Sequence, residues 1–303
     1  MSRGKLSIYS FLPLGAAFVW GMGFTAQIFA SGNIQPFFYN AVRFALGTLI
    51  LIPLVVIMDK NIKSAWENTV IYGICAGIIL CLGTSFQQIG LTLTKSAAKG
   101  GFFTSLYAVL VPFIEAAFFK KHFSKKVWTA SLLSFLGLYC IFISSESAKS
   151  LLHVTTGDVL LIINALCYAF HIIYIDKKIS AVSPVLFALV QFFTVSVLSF
   201  IICLVFETPS ITAVKNSAVP ILYGGIVSVG CGYTLQIFSQ KSRTPVLTSL
   251  LFSSESVFAL LGGVIIIGEK LSLLSFVGCT LILVSIVLIQ IIQAKQTETT
   301  FTD

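Results

Sequence analysis

Charge is what this chain has least of. Asp, Glu, Lys and Arg make up 10% of its 303 residues, while 57% are hydrophobic and the mean hydropathy is +0.99. Soluble domains carry about 25% charged residues, so an ordinary water-soluble globule is excluded and a polytopic membrane protein remains. A Cys-x-x-Cys pair is also missing. The seven cysteines, Cys75, Cys81, Cys140, Cys167, Cys203, Cys231 and Cys279, all fall inside apolar runs. Neither a zinc site nor an extracellular disulfide framework is indicated, and they read as small core hydrophobes. No Gly-x-x-x-x-Gly-Lys-Ser/Thr loop occurs, so no ATP-driven step is encoded in this chain. Of three histidines, His122 and His153 sit at loops and His171 lies in an apolar run without a second ligand at helical spacing. No metal centre and no cofactor are expected. The net charge of +8 forms no patch or stripe, and its residues punctuate the ends of apolar runs. A nucleic-acid partner is therefore not expected. Arg3 and Lys5 precede an apolar run as in a signal peptide, but the run from Ile8 to Ala30 is too long and has no clear cleavage site, so it reads as a first membrane helix.

What is present is apolar length. Ten spans can be marked, at about 8–30, 37–58, 69–92, 99–119, 127–144, 157–176, 184–206, 218–240, 245–267 and 272–293. The expected fold class is all-α, a polytopic bundle of ten transmembrane helices. One face of these spans collects Arg3, Lys5, Lys60, Lys63, Lys120, Lys121, Lys125, Lys126, Lys177, Lys178, Lys241, Arg243 and Lys295, and the other collects Lys95, Lys99, Lys149, Lys215 and Lys270. Thirteen against five predicts a cell-membrane protein with both termini cytoplasmic. Residues 294–303 are polar and read as a disordered tail.

Sliding the chain on itself by 148 residues aligns Trp20 with Tyr168, Pro36 with Pro184, Phe44 with Phe192, Gly77 with Gly225, Gln88 with Gln236, Ser105 with Ser253 and Ser124 with Ser272. Residues 1–147 and 148–293 are therefore expected to be two copies of a five-helix unit. An odd number of spans per unit sends the second copy into the membrane from the opposite side, an inverted-topology pair.

Glu255 sits near the middle of the ninth span. By helical rise it lies roughly 18 Å from Arg243, too deep for a side chain to reach water, so it faces either protein or a cavity. An ionisable group at that depth marks a functional site by default. Arg43 lies in the second span, where Tyr39, Asn40 and Arg43 share one face. It reads either as a fork for a carboxylate or phosphate or as a snorkelling or ion-pairing residue. Asn164, Tyr168 and His171 recur at spacings of four and three in the sixth span, and Gln191 repeats the position of Arg43. His171 reads as a packing residue more readily than as a proton relay. With Tyr107, Tyr233 and Gln236 these residues form the candidate substrate site and suit a solute with both polar and apolar parts. Gly73 with Gly77, and the glycines of the eighth span, read first as packing points within the bundle and second as the seam of a homodimer.

Trp20-Gly21, Arg43, Pro112, Glu255, the pair Gly268-Glu269 and Gly278, in this order and spacing, resemble the drug/metabolite transporter superfamily in its EamA-type branch of ten-helix proteins built from two repeats. The resemblance covers nearly the whole chain and implies alternating-access movement of a small metabolite, amino acid-like or drug-like, with efflux as the expected direction. Two departures stand out: the Glu-Pro of the family's ninth helix is Glu255-Ser256 here, and the acid of the first repeat's equivalent loop is Lys121. Without the proline, a kink in the ninth helix is not implied. A channel would want a ring of charges or carbonyls along a pore, and an intramembrane enzyme a nucleophile with its base. Neither pattern is legible, so a transporter that is not an enzyme is the expectation.

Overall fold

Among the described residues, ten helices are long and apolar enough to cross a membrane: Leu12–Ala30, Pro36–Ile57, Trp66–Thr94, Ala97–Phe119, Lys125–Ser144, Thr156–Ala181, Pro184–Phe206, Ala218–Gln240, Pro245–Ile267 and Leu273–Ile291. They are called the first to tenth spans below. The computed structural model describes residues 12–58, 62–144, 154–241 and 243–299. Arg3, Lys5, Lys60, Lys149 and His153, used above for orientation or chemistry, lie outside the described residues. The span boundaries follow the sequence reading within a few residues. One helix covers Leu273–Thr299, so helical backbone reaches into the stretch assigned to the tail.

The second span packs on the seventh and the fifth on the tenth, each against its own repeat equivalent; the first lies on the eighth and ninth, and the sixth on the third and fourth. Contacts recur in exchanged form. Phe44 and Phe192, equivalent by the 148-residue shift, meet with ring centroids 6.0 Å apart. A Cβ at Gly77 would come within 2.9 Å of Gln191 O, and one at Gly225 within 2.9 Å of Arg43 O. Gly73 likewise faces Val190 and Phe187. These glycines are used inside the bundle, where a missing side chain lets two backbones touch.

The fifth and tenth spans cross backbone against backbone. A Cβ at Gly137 would sit 2.7 Å from Gly278 O, and one at Gly278 2.5 Å from Gly137 O. Backbone cannot swing aside as a side chain can, so Gly137→Val or Gly278→Val should each destabilise the protein by about 1–3 kcal/mol. Denaturant titration in detergent checks this, with Leu132→Val on the exposed face expected to stay within about 0.5 kcal/mol of the parent.

The fourth and ninth spans are interrupted at matching places. The fourth divides into Ala97–Ser105 and Tyr107–Phe119, and the ninth into Pro245–Phe252 and Glu255–Gly262. Pro112 leaves the carbonyl four residues before it without its helical partner in the fourth. In the ninth the missing proline is replaced by serine chemistry, which corrects the expectation that no bend is implied. Ser253 Oγ donates to Leu250 O at 2.7 Å and Ser254 Oγ to Leu251 O at 2.8 Å. Such back-bonding competes with the helix's own amides and bends it. Tyr107 and Glu255, equivalent in the repeat, each begin the second half-helix. Gly263–Ile267 and Tyr223–Tyr233 continue as wider π-helical turns.

The cysteines need one correction. All seven are free, but Cys75 and Cys231 are exposed on the outer surface rather than in the core. A bilayer is as apolar as a protein interior, so a hydrophobic residue in a span gains little by choosing one over the other.

Candidate functional site

A cavity lies between the two halves, lined from the first, second, third and fourth spans on one side and the sixth, eighth and ninth on the other. Of the residues singled out in the sequence, Arg43, Tyr107, Tyr168, His171, Tyr233, Gln236 and Glu255 line it. Tyr39, Asn164 and Gln191 do not. They stand one layer behind: Tyr39 OH donates to Pro220 O at 3.2 Å, Asn164 Nδ2 to Gly83 O at 3.0 Å, and Gln191 Oε1 pairs with His171 Nε2 at 3.1 Å. Trp20, Phe24, Gln27, Gln87, Ile172, Ser228 and Phe252 complete the wall and were not among the expected site residues. The aromatic alignment of Trp20 with Tyr168 in the repeat was the one sequence signal that pointed to Trp20.

Arg43 is 2% exposed and does not reach back to the interface. Its Nε donates to Asn40 Oδ1 at 3.0 Å, Asn40 Nδ2 donates to Thr84 O at 3.1 Å, and the guanidinium lies 5.2 Å from the Tyr39 ring and 5.1 Å from the Phe44 ring. The amide thus locks the arginine's direction while two rings give it a polarisable bed. Glu255, also 2% exposed, accepts a hydrogen bond at Oε1 from Ser105 Oγ at 3.1 Å. Ser253, two residues before it, receives a bond from Ser134 Oγ at 3.1 Å. Lys99–Asp158 and Lys121–Glu115 form ion pairs, whereas Arg43 and Glu255 form none with each other.

The aromatic wall is held by a directional chain. Tyr233 OH meets Tyr168 OH at 3.2 Å; Tyr168 OH donates to Gln87 Oε1 at 3.3 Å; Gln87 Nε2 donates to Thr104 Oγ1 at 3.4 Å; Thr104 Oγ1 donates to Asn164 Oδ1 at 2.9 Å. Since Tyr168 gives its one proton to Gln87, Tyr233 is the donor of the first link and keeps a lone pair for the cavity. Gln27 Nε2 and Gln236 Nε2 are bound to Gly23 O and Gln240 Oε1, and the Oε1 atoms of both lack a protein partner. Buried acceptors without donors favour a ligand that brings N–H or O–H groups. Trp20, held by its indole N–H to Ser228 O at 3.2 Å, stands 4.9 Å from Tyr233 and 5.1 Å from Phe252.

Two further features escaped the sequence reading. Lys99, counted there as a loop charge, is a buried residue of the fourth span whose Nζ lies 3.1 and 3.3 Å from the two Asp158 oxygens. Asp158 Oδ2 also accepts from Thr155 N at 3.0 Å and Thr155 Oγ1 at 2.8 Å, a capping box that starts the sixth span. The T-x-x-D pattern at Thr155 was the available signal. Glu115 is 1% exposed and paired with Lys121 of the following loop at 2.5 Å. Outside the spans, burial pushes the Glu269 carboxyl up, while bonds from the Ala97 amide and the Ser96 hydroxyl hold it back.

A ten-helix bundle with a mixed polar and aromatic cavity between two related halves is the architecture of a membrane transporter. The profile of the EamA-like transporter family matches residues 7–143 and again 155–291, two matches offset by the same 148 residues found by sliding the sequence. The chain belongs to the EamA-like transporter family, within the drug/metabolite transporter superfamily. It is similar to an uncharacterized transporter of Archaeoglobus fulgidus, 29% identical over 295 residues covering 96% of this chain and 88% of the relative. It is also similar to the uncharacterized transporter YwfM of Bacillus subtilis, 24% identical over 303 residues covering 96% and 97%. A crystal structure at 16% identity superposes with a TM-score of 0.77 over 96% of this chain and 99% of that chain, a likeness of fold.

Proposed function

We propose that this protein is a secondary transporter or facilitator that carries a small amphipathic metabolite, amino acid-like or drug-like, outward across the cytoplasmic membrane, with both termini cytoplasmic. The observation that carries this reading is the cavity itself: a buried cation, Arg43, and a buried carboxyl group, Glu255, line one space without a salt bridge to each other. A guanidinium without a carboxylate beside it in a low-dielectric interior is expensive, and a solute bearing an anionic end for Arg43, a hydrogen-bond donor for Glu255 and an apolar body relieves that cost.

Alternating access is supported by the exchanged contacts. Equivalent elements touching each other is the mark of a two-fold relation, and five spans per copy puts that axis in the membrane plane. The interrupted fourth and ninth spans, whose second halves begin at the cavity with Tyr107 and Glu255, match the discontinuous helices such transporters use.

Purified protein should first be screened for thermal stabilisation by amino acids, their amides, sugars, nucleosides and cationic drugs. The compounds that stabilise should then show saturable counterflow in liposomes without single-channel conductance. Glu255→Gln should lower counterflow at least tenfold; conductance in the parent, or counterflow unchanged in Glu255→Gln, would defeat this reading.

A further inference from the structure

The loop that follows the fourth span and the loop that follows the ninth have the same backbone and opposite chemistry. Each turns through a left-handed residue, Lys120 at φ 52° and Gly268 at φ 82°. The next amide then bonds six residues back, Lys121 N to Glu115 O at 3.2 Å and Glu269 N to Gly263 O at 3.0 Å. The repeat therefore delivers two side chains to equivalent places, a carboxylate in the second copy and an ammonium in the first.

Glu269 uses its place to tie two loops together. Its Oε1 accepts from Ser96 Oγ at 3.2 Å and from Ala97 N at 3.1 Å, which clasps the 9–10 loop onto the first turn of the fourth span. A carboxylate there satisfies an otherwise unpaired amide and sits at the positive end of the helix. Lys121 has no such partner to take. Its target by the repeat is the start of the ninth span, Thr244 and Pro245; Pro245 has no N–H, Thr244 is exposed, and Thr244 Oγ1 accepts only from its own helix, at Leu247 N. An ammonium at that positive end would be repelled, and Lys121 folds back onto Glu115 of its own span.

The asymmetry is repeated by a second pair. Lys99–Asp158 ties the fourth span to the sixth on the same face as the Glu269 clasp, and the equivalents of these two residues are Leu247 and Ser10, which cannot form an ion pair. One face of the transporter therefore carries two hydrogen-bonded ties between its halves; the two-fold-related places on the other face carry neither, and there the fourth and sixth spans meet instead through Lys177 over the Phe119 ring and the attraction of Lys121 to Asp176.

We infer that Glu269 is a gating residue, holding shut the face that carries the 3–4 and 9–10 loops, and that the charge reversal at Lys121 leaves the opposite face as the one that opens from rest. The inference rests on the alternating-access reading above. With the charge-based orientation the clasped face is external, so the resting protein loads from the cytoplasm, as an exporter must.

The test places one reporter cysteine, Ser228→Cys, in the cavity of a full-length protein whose seven native cysteines are replaced, in oriented vesicles. A membrane-impermeant maleimide is added to one face at a time. The parent should react from the face opposite the clasp. Glu269→Ala, which removes the acceptor that glutamine would keep, should raise the rate from the clasped face on the order of tenfold, the size of one lost helix cap; Ser96→Ala, a milder change, should raise it less. The triple variant Lys121→Glu, Glu115→Gln and Asp176→Asn, which supplies a second carboxylate with its two acidic neighbours neutralised, should slow labelling from the opposite face. A parent labelled from one face only, with unchanged rates in Glu269→Ala and Ser96→Ala, overturns the clasp and leaves alternating access standing. Equal labelling of the parent from both faces overturns alternating access and the clasp with it. Should Glu269→Ala not fold, Ser96→Ala alone decides.

Discussion

Arg43→Ala loses at least a hundredfold in affinity for any ligand that presents a carboxylate to the cavity, and Arg43→Lys does not restore it. The guanidinium is 2% exposed, aimed by Asn40 and flanked by Tyr39 and Phe44. Charge-assisted hydrogen bonds are worth about 1.5–3 kcal/mol each, and a forked pair gives two. Removing the fork also strands the ligand's anion in a buried site, so a total of about 3–5 kcal/mol is expected, which is about two to three and a half decades. Lysine supplies a point charge without the planar fork and leaves the Asn40 oxygen aimed at nothing. The measurement is a cycle by calorimetry in detergent: an amino acid found to bind the parent, its amide, and both again with Arg43→Ala. The amide should bind the parent weakly and lose little more in the variant. If acid and amide lose equally, Arg43 supports the fold and does not read the ligand.

The second large effect falls on stability. Lys99→Ala leaves Asp158 buried opposite a hole, and removing one partner of a buried pair costs about 3–5 kcal/mol. Asp158 keeps its bonds to Thr155, so the carboxylate cannot simply swing to water. Replacing both partners should behave differently. The other repeat carries Leu247 where Lys99 stands, and an apolar pair of similar volume is often neutral relative to a buried ion pair. Lys99→Leu with Asp158→Asn, where asparagine can still accept from Thr155, should therefore recover most of the stability lost in Lys99→Ala. Denaturant midpoints of the three variants in one detergent check the order. A Lys99→Ala protein as stable as the parent would mean that water reaches the pair.

Part of the candidate site was legible because charge inside a span is legible. Glu255 stood out by its depth and Arg43 as the cation left over when the loop charges are counted, and both line the cavity. The spacing of Tyr168 and His171 likewise put one polar face on the sixth span. Tyr39 and Asn164, named by such spacing, and Gln191, named as the repeat equivalent of Arg43, nevertheless stand behind the wall, because a polar residue in a span is equally satisfied by a neighbouring helix. Lys99 was misjudged for a related reason: a lysine near a span's end looks like a loop charge until an acid from a distant helix is seen beside it. The bend before Glu255 was missed because serine gives no warning; its side chain can point outward or bond back, and the backbone decides.

The sequence by itself determined the ten spans, the two copies and the family, because a bilayer demands some twenty apolar residues per crossing and a duplication leaves its offset in the chain. Only the tertiary structure decided which polar groups meet. Inside a membrane the hydrophobic effect does not choose between facing lipid and facing a neighbour. The choice falls to close backbone contact at residues such as Gly77, Gly225, Gly137 and Gly278, and those contacts turn Arg43, Tyr168 and Glu255 toward one another across seven spans.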